Sequence, residues 1–232
     1  MEFGSPICLA LDSRDRAEIA KLVKATEAHV GVFKVGLTSY IAFGSDLTVS
    51  LTERRPVFLD LKLHDIPAQV SGAVAAAAAS GASLVTIHAA GGGDMVRAAT
   101  DAAGDGVTIL AVTVLTSLDE RALATIGMSG SVEDSVLRLA ELALAGGAGG
   151  LVCSPLEVAA LRARFGRRDE GGPLLVVPGV RPEGSESGDQ KRTLTARAAR
   201  SAGADLLVVG RPITGAEDPA SAAAAMAQEA GG

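Results

Sequence analysis

The chain has 232 residues, 48% of them hydrophobic but only 3% aromatic, and a formal net charge of −6. That length fits a single barrel-sized domain, residues 1–232, and the Ala-, Val-, Leu- and Gly-rich composition suits a parallel sheet wrapped in helices, not a disordered chain. Without Trp, with one Tyr and without a block of Lys and Arg, it lacks the cationic surface and stacking platform of a nucleic-acid binder, and no apolar run reaches the roughly 18 to 20 residues of a membrane span.

In chain order, a strand is predicted at residues 7–11 and a helix at 14–28, then strands at 32–35 and 57–61 and a helix at 67–80. A strand at 84–87 precedes a helix at 93–103, a strand at 108–113 precedes a helix at 132–145, and a strand at 150–153 precedes a helix at 155–165. Strands at 174–177 and 206–209 complete the set, with helices at 194–202 and 220–230. Strand alternating with helix implies parallel pairing and right-handed crossovers. The turn after the first strand reads Ala10-Leu11-Asp12-Ser13-Arg14, without the glycines of a dinucleotide-binding open sheet, so a closed (β/α)8 barrel is expected.

Residues 1–6 place no basic segment ahead of an apolar run, so no secretory leader is expected and the protein is assigned to the cytoplasm. Cys8 and Cys153 fall in separate apolar, strand-like segments and read as buried thiols of a reducing compartment.

Chemistry in such a barrel sits at the C-terminal ends of the strands. Polar residues there are Asp12 after strand one, Lys34 inside strand two, and the run Asp60-Leu61-Lys62-Leu63-His64-Asp65 at strand three. Side chains two apart on a strand share a face, so Asp60 and Lys62 are expected to point together into the barrel mouth. A surface ion-pair cluster would contribute little to stability. The apolar flanks Val57-Phe58-Leu59 and Ile66-Pro67 point instead to burial, which is costly for so many charges unless they serve a purpose. Asp12 and Lys34 would extend the group into an alternating Lys-Asp-Lys-Asp array.

At strands seven and eight, Gly210-Arg211-Pro212 sets a bare backbone turn and a guanidinium ahead of the last helix, which suits a phosphate dianion. Arg181 and Gln190 bound a segment rich in Gly, Ser and charge, the stretch expected to be most mobile, and are placed to close over the same ligand. None of His29, His64 and His88 has a second ligand at metal-binding spacing, so no metal is expected. His88 reads as packed and His29 as surface, and His64 stays open.

These segments resemble the orotidine 5′-monophosphate decarboxylase family along nearly the whole chain. They include LALD at 9–12, FKVG at 33–36, FLDLKLHDIP at 58–67, VTVLTS at 112–117, PGVR at 178–181, GDQKR at 188–192 and VGRPIT at 209–214. The resemblance implies a cofactor-free enzyme acting on a small nucleotide as a homodimer. Lys62 would protonate C6 as CO2 leaves, and Asp60 would crowd the substrate carboxylate and hold Lys62. Asp65 would enter the site from the partner subunit, while Asp12 and Lys34 would bind ribose hydroxyls or brace the array. Thr116 or Ser117 would touch the pyrimidine. Gln190, Gly210 and Arg211 would hold the phosphate, with Pro178 and Arg181 beside them. The family usually has Thr where this chain has Gln69, and an amide there can still bond a ribose hydroxyl.

Two alternatives stay open on the sequence. Mg²⁺-dependent sugar-phosphate decarboxylases and aldolases of the same superfamily share Asp-x-Lys-x-x-Asp, usually with Gly where this chain has Pro67. A catalytically silent phosphate-ligand barrel would not need the lysine between two aspartates.

Overall fold

Eight parallel strands close on themselves in sequence order. They are β1 (Ile7–Ala10), β2 (Val32–Gly36), β3 (Val57–Leu63), β4 (Leu84–His88), β5 (Thr108–Val112), β6 (Gly150–Val152), β7 (Leu174–Pro178) and β8 (Leu206–Val209). The structure is a computed structural model and describes residues 3–181 and 194–231. The ring is sealed where β1 pairs with β8, Cys8 opposite Val208.

Alternation along the strands divides the apolar residues into two sets. Cys8, Val32, Phe58, Leu84, Leu110 and Leu206 fill the barrel interior. Their neighbours Leu9, Phe33, Val57, Leu59, Val85 and Leu207 face outward against the helices. Packing inside is tight enough to dictate a glycine: a Cβ on Gly150 would lie 2.6 Å from the Leu174 carbonyl oxygen and 2.7 Å from Leu110 Cδ2.

Most of the outer layer lies where the sequence pattern puts it: α1 (Arg16–Thr26), α4 (Pro67–Ala79), α5 (Gly93–Ala103), α7 (Val132–Ala145), α8 (Val158–Phe165), α9 (Ala196–Ala202) and α11 (Pro219–Gly231). The first helix starts two residues later than expected. Asp15 caps it by accepting the N–H groups of Ala17 at 2.8 Å and Glu18 at 3.3 Å. Four further helices were not anticipated: α2 (Leu37–Phe43), α3 (Ser45–Thr52), α6 (Glu120–Thr125) and α10 (Arg211–Thr214). The first two carry Thr, Ile, Val and Ser in place of an Ala-rich stripe and meet at Gly44, whose φ of 61° suits glycine. Of the segment expected to be mobile, Arg181 is described and residues 182–190, with Gln190, lie outside the described residues. Among the described residues no helix is long and apolar enough to cross a membrane.

Candidate active site

The C-terminal end of β3 departs from a regular strand. Leu59 pairs with Val85 and Leu63 with Ile87, so four steps along β3 are matched by two along β4. Asp60, Leu61 and Lys62 occupy this bulge. Lys62 has φ 51°, making it the sole non-glycine residue with positive φ among the described residues. The bulge lifts the Lys62 N–H off the carbonyl ladder, and it donates instead to Thr86 Oγ1 on β4 at 2.9 Å.

The four charges then form one continuous chain. Lys62 Nζ donates to Asp60 Oδ1 at 2.7 Å. Lys34 Nζ lies 3.3 Å from Asp60 Oδ2 and 3.3 Å from both carboxylate oxygens of Asp12. The side chains run from enclosed to open, with exposures of 7% for Lys34, 14% for Asp60, 30% for Lys62 and 47% for Asp12. At 3.3 Å the Lys34–Asp60 attraction is on the order of 5 kcal/mol for an effective dielectric near 20, and desolvation costs several kcal/mol for each ion. The two nearly cancel, so the array gains the fold little.

Burial alone would raise the Asp60 pKa, but the ammonium groups of Lys34 and Lys62 hold it below the ordinary carboxylate value. Burial alone would lower that of Lys34, and the carboxylates of Asp60 and Asp12 outweigh it, keeping Lys34 above the ordinary lysine value. Both groups are therefore charged across the neutral range. The array needs a bare backbone beside it: a Cβ on Gly36 would stand 2.3 Å from Asp12 Oδ1 and 2.9 Å from Lys34 Nζ.

These residues open onto a cavity of about 440 Å³ at the mouth of the barrel. Asp12, Lys34, Asp60 and Lys62 line it together with Thr116, Pro178, Arg181, Gly210 and Arg211. Its floor is apolar, with Phe58, Val112 and Val152 from the barrel interior. The cavity thus brings cationic groups at β7 and β8 together with the charge chain at β1 to β3. Ser117 and Gln69 are exposed and do not line it. Asp65 is also exposed, its Oδ1 accepting the Ile66 N–H at 2.7 Å, and makes no ion pair with Lys62 within the chain. Gln190 lies outside the described residues.

The rings of His64 and His88 lie with centroids 5.5 Å apart and planes tilted by 38°, which gives His64 a neighbour and agrees with a packed His88. Burial first, then His64 and Lys62, lowers the His88 pKa. His29 is half-buried, not fully at the surface. Cys8 and Cys153 are both buried and free, and burial pushes the Cys8 thiol far above its usual range. Among the described residues no cluster of three or more His, Cys, Asp or Glu is placed to hold a metal ion.

Sequence reasoning missed Thr86 and Gly36. Thr86 is fully buried in the otherwise apolar Leu84-Val85-Thr86-Ile87, the same signal of a polar residue inside a strand that singled out Lys34.

Comparison with known proteins agrees with this geometry. A family model described as Orotidine 5'-phosphate decarboxylase / HUMPS family matches residues 5–226. An orotidine 5'-phosphate decarboxylase of Anaeromyxobacter sp. (strain K) is 55% identical over 98% of this chain and 99% of its own length. The like-named protein of Anaeromyxobacter dehalogenans is 56% identical with the same coverage. The crystal structure of orotidine 5'-phosphate decarboxylase from Lactobacillus acidophilus superposes with a TM-score of 0.86 at 34% identity, covering 98% of this chain and 100% of that one. With a matched family model across nearly its full length and relatives above half identical, this chain belongs to the orotidine 5'-phosphate decarboxylase / HUMPS family.

Proposed function

We propose that this enzyme is a carboxy-lyase that converts orotidine 5′-monophosphate to uridine 5′-monophosphate and CO2 in pyrimidine biosynthesis in the cytoplasm, without a cofactor. The observation that carries the reading is the unbroken chain Asp12–Lys34–Asp60–Lys62 opening onto a cavity that Arg181 and Arg211 also line.

Loss of CO2 from C6 breaks the C6–carboxylate bond and leaves the electron pair in an sp² orbital with no adjacent carbonyl to accept it. A fixed ammonium in a water-poor pocket stabilises that developing charge and then delivers a proton to C6. Lys62 takes this role, and Asp60, accepting a hydrogen bond from its Nζ, aims it, while its own carboxylate crowds that of the substrate. Asp12 and Lys34 bind ribose hydroxyls or brace the array, and Thr116, which unlike Ser117 lines the cavity, meets the pyrimidine. Gln190, Gly210 and Arg211 hold the phosphate, with Pro178 and Arg181 alongside, so that binding energy far from C6 raises the rate of the chemical step.

Asp65 and Gln69 face outward from the single chain. In this reading they serve the neighbouring subunit of a homodimer, where Asp65 supplies the second carboxylate beside Lys62 and Gln69 reaches a ribose hydroxyl.

The test is the ultraviolet absorbance change on mixing orotidine 5′-monophosphate with wild-type protein and with Lys62→Ala, both in EDTA. Conversion by the wild type with a loss of at least about 10⁴-fold in the variant is expected. No conversion by the wild type, with turnover of a pentulose or hexulose phosphate once Mg²⁺ is restored, would move the assignment to the metal-dependent branch.

A further inference from the structure

Regular parallel pairing would give the Lys62 N–H a carbonyl partner on β4. The bulge removes that option, because Val85 to Ile87 leaves a single residue, Thr86, opposite Asp60, Leu61 and Lys62. Its hydroxyl fills the gap. Thr86 Oγ1 accepts the Lys62 N–H at 2.9 Å and lies 3.1 Å from Asp60 Oδ1 and 3.4 Å from the Leu59 carbonyl oxygen. A hydroxyl has one proton to give, and the nearer, charged carboxylate is the better acceptor. Asp60 Oδ1 then receives two donors, the hydroxyl of Thr86 and the ammonium of Lys62, while Oδ2 faces Lys34.

We propose that Thr86 is a positioning residue: its single buried hydroxyl pins the left-handed backbone of Lys62 and the carboxylate of Asp60 to one point, fixing where the Lys62 ammonium stands in the cavity. Three observations converge on this. Lys62 alone among the described non-glycine residues adopts positive φ, a conformation that persists only where its surroundings over-determine it. The strand register shifts at that place. Thr86 itself is fully buried, so water does not take over its bonds. A threonine kept only for β-sheet packing would need none of its oxygen contacts, and valine would replace it.

The proposal rests on the roles given to Lys62 and Asp60 above. Thr86→Val keeps the shape and removes the hydroxyl, and Thr86→Ser keeps the hydroxyl and removes the methyl. With active sites counted by a tight-binding nucleotide inhibitor, Thr86→Val is expected to lose about 10- to 100-fold in kcat, the scale of a misplacement near 1 Å, while uridine 5′-monophosphate binds as in the wild type. Thr86→Ser is expected to recover most of the loss. Wild-type kcat in Thr86→Val, or equal loss in both variants, would overturn the proposal. If the valine variant does not fold, a crystal structure of the wild type decides the matter: Lys62 at negative φ with its N–H on a carbonyl would overturn it. Failure of the underlying reading is distinguishable, since Lys62→Ala would then stay active or the wild type would not turn over the nucleotide at all.

Discussion

Lys34 Nζ stands 3.3 Å from Asp60 Oδ2, although the two side chains start from different strands and both are withdrawn from solvent. The contact makes Asp60 a pH-dependent element of stability. Its pKa is depressed in the folded state, so the stability it contributes is fully present above the unfolded value near 3.9 and is lost as pH falls through the lower folded value. Asp60→Asn removes that acid-sensitive portion, leaving Lys34 with Asp12 and taking from Lys62 its carboxylate partner. Denaturant unfolding from pH 7 down to pH 2 is expected to show the variant destabilised on the order of 3 kcal/mol at neutral pH, with a shallower acid limb. An unchanged limb would assign the acid sensitivity elsewhere.

Lys34→Met takes away the strongest attraction holding the Asp60 pKa down and leaves Asp12 and Asp60 facing each other as like charges. The acid limb of kcat/KM is expected to move toward neutral pH, with turnover at pH 7 reduced roughly 100-fold. A pH–rate profile over pH 4 to 9 checks it, and a wild-type profile would show that Lys34 does not govern Asp60.

Gly36→Ala tests how little space surrounds the array. Its backbone is extended, with φ −93° and ψ −177°, so alanine meets no conformational penalty there. The added methyl must displace the Asp12 carboxylate and the Lys34 ammonium, both far ends of side chains. The expected result is a rise in KM of about tenfold with thermal stability changed by less than about 1 kcal/mol. A large fall in melting temperature with unchanged KM would mean that the backbone yields instead.

The dimer reading makes a sharper demand. In a two-fold dimer where Lys62 and Asp65 of one site come from different subunits, Lys62→Ala and Asp65→Ala chains are each inactive alone. Mixed, unfolded and refolded together, they form some heterodimers with one intact site, up to about a quarter of the wild-type sites by random pairing. Return of activity on mixing is the expected outcome. None would place Asp65 outside the neighbour's site.

The barrel was legible because its signals are redundant. Eight apolar runs repeat, and seven of the eight strands end within one residue of where the apolar pattern stops. The helices α2 and α3 were not legible, since Leu37–Phe43 and Ser45–Thr52 carry β-branched residues and take helical form through packing against the barrel. At the site, Asp12, Lys34, Asp60 and Lys62 stood out as charges among apolar residues. Period-two alternation placed Asp60 and Lys62 side by side, and they do meet, but through a bulge that alternation does not contain. The register shift is invisible in sequence because it depends on how β3 and β4 pair, and Thr86 was overlooked with it. The outward aim of Asp65 is likewise a property of the loop after β3.

That register shift also bears on transplanting the chemistry. Copying Asp-x-Lys onto a regular strand of another barrel would carry over the letters without the two extra steps of β3 or the hydroxyl across from them. The Lys backbone would relax to an ordinary extended conformation with its N–H on a neighbouring carbonyl, and the aspartate alone would be left to place the ammonium. The portable unit is a two-strand graft, residues 57–65 with 84–88, whose mismatch in length is part of what must be moved.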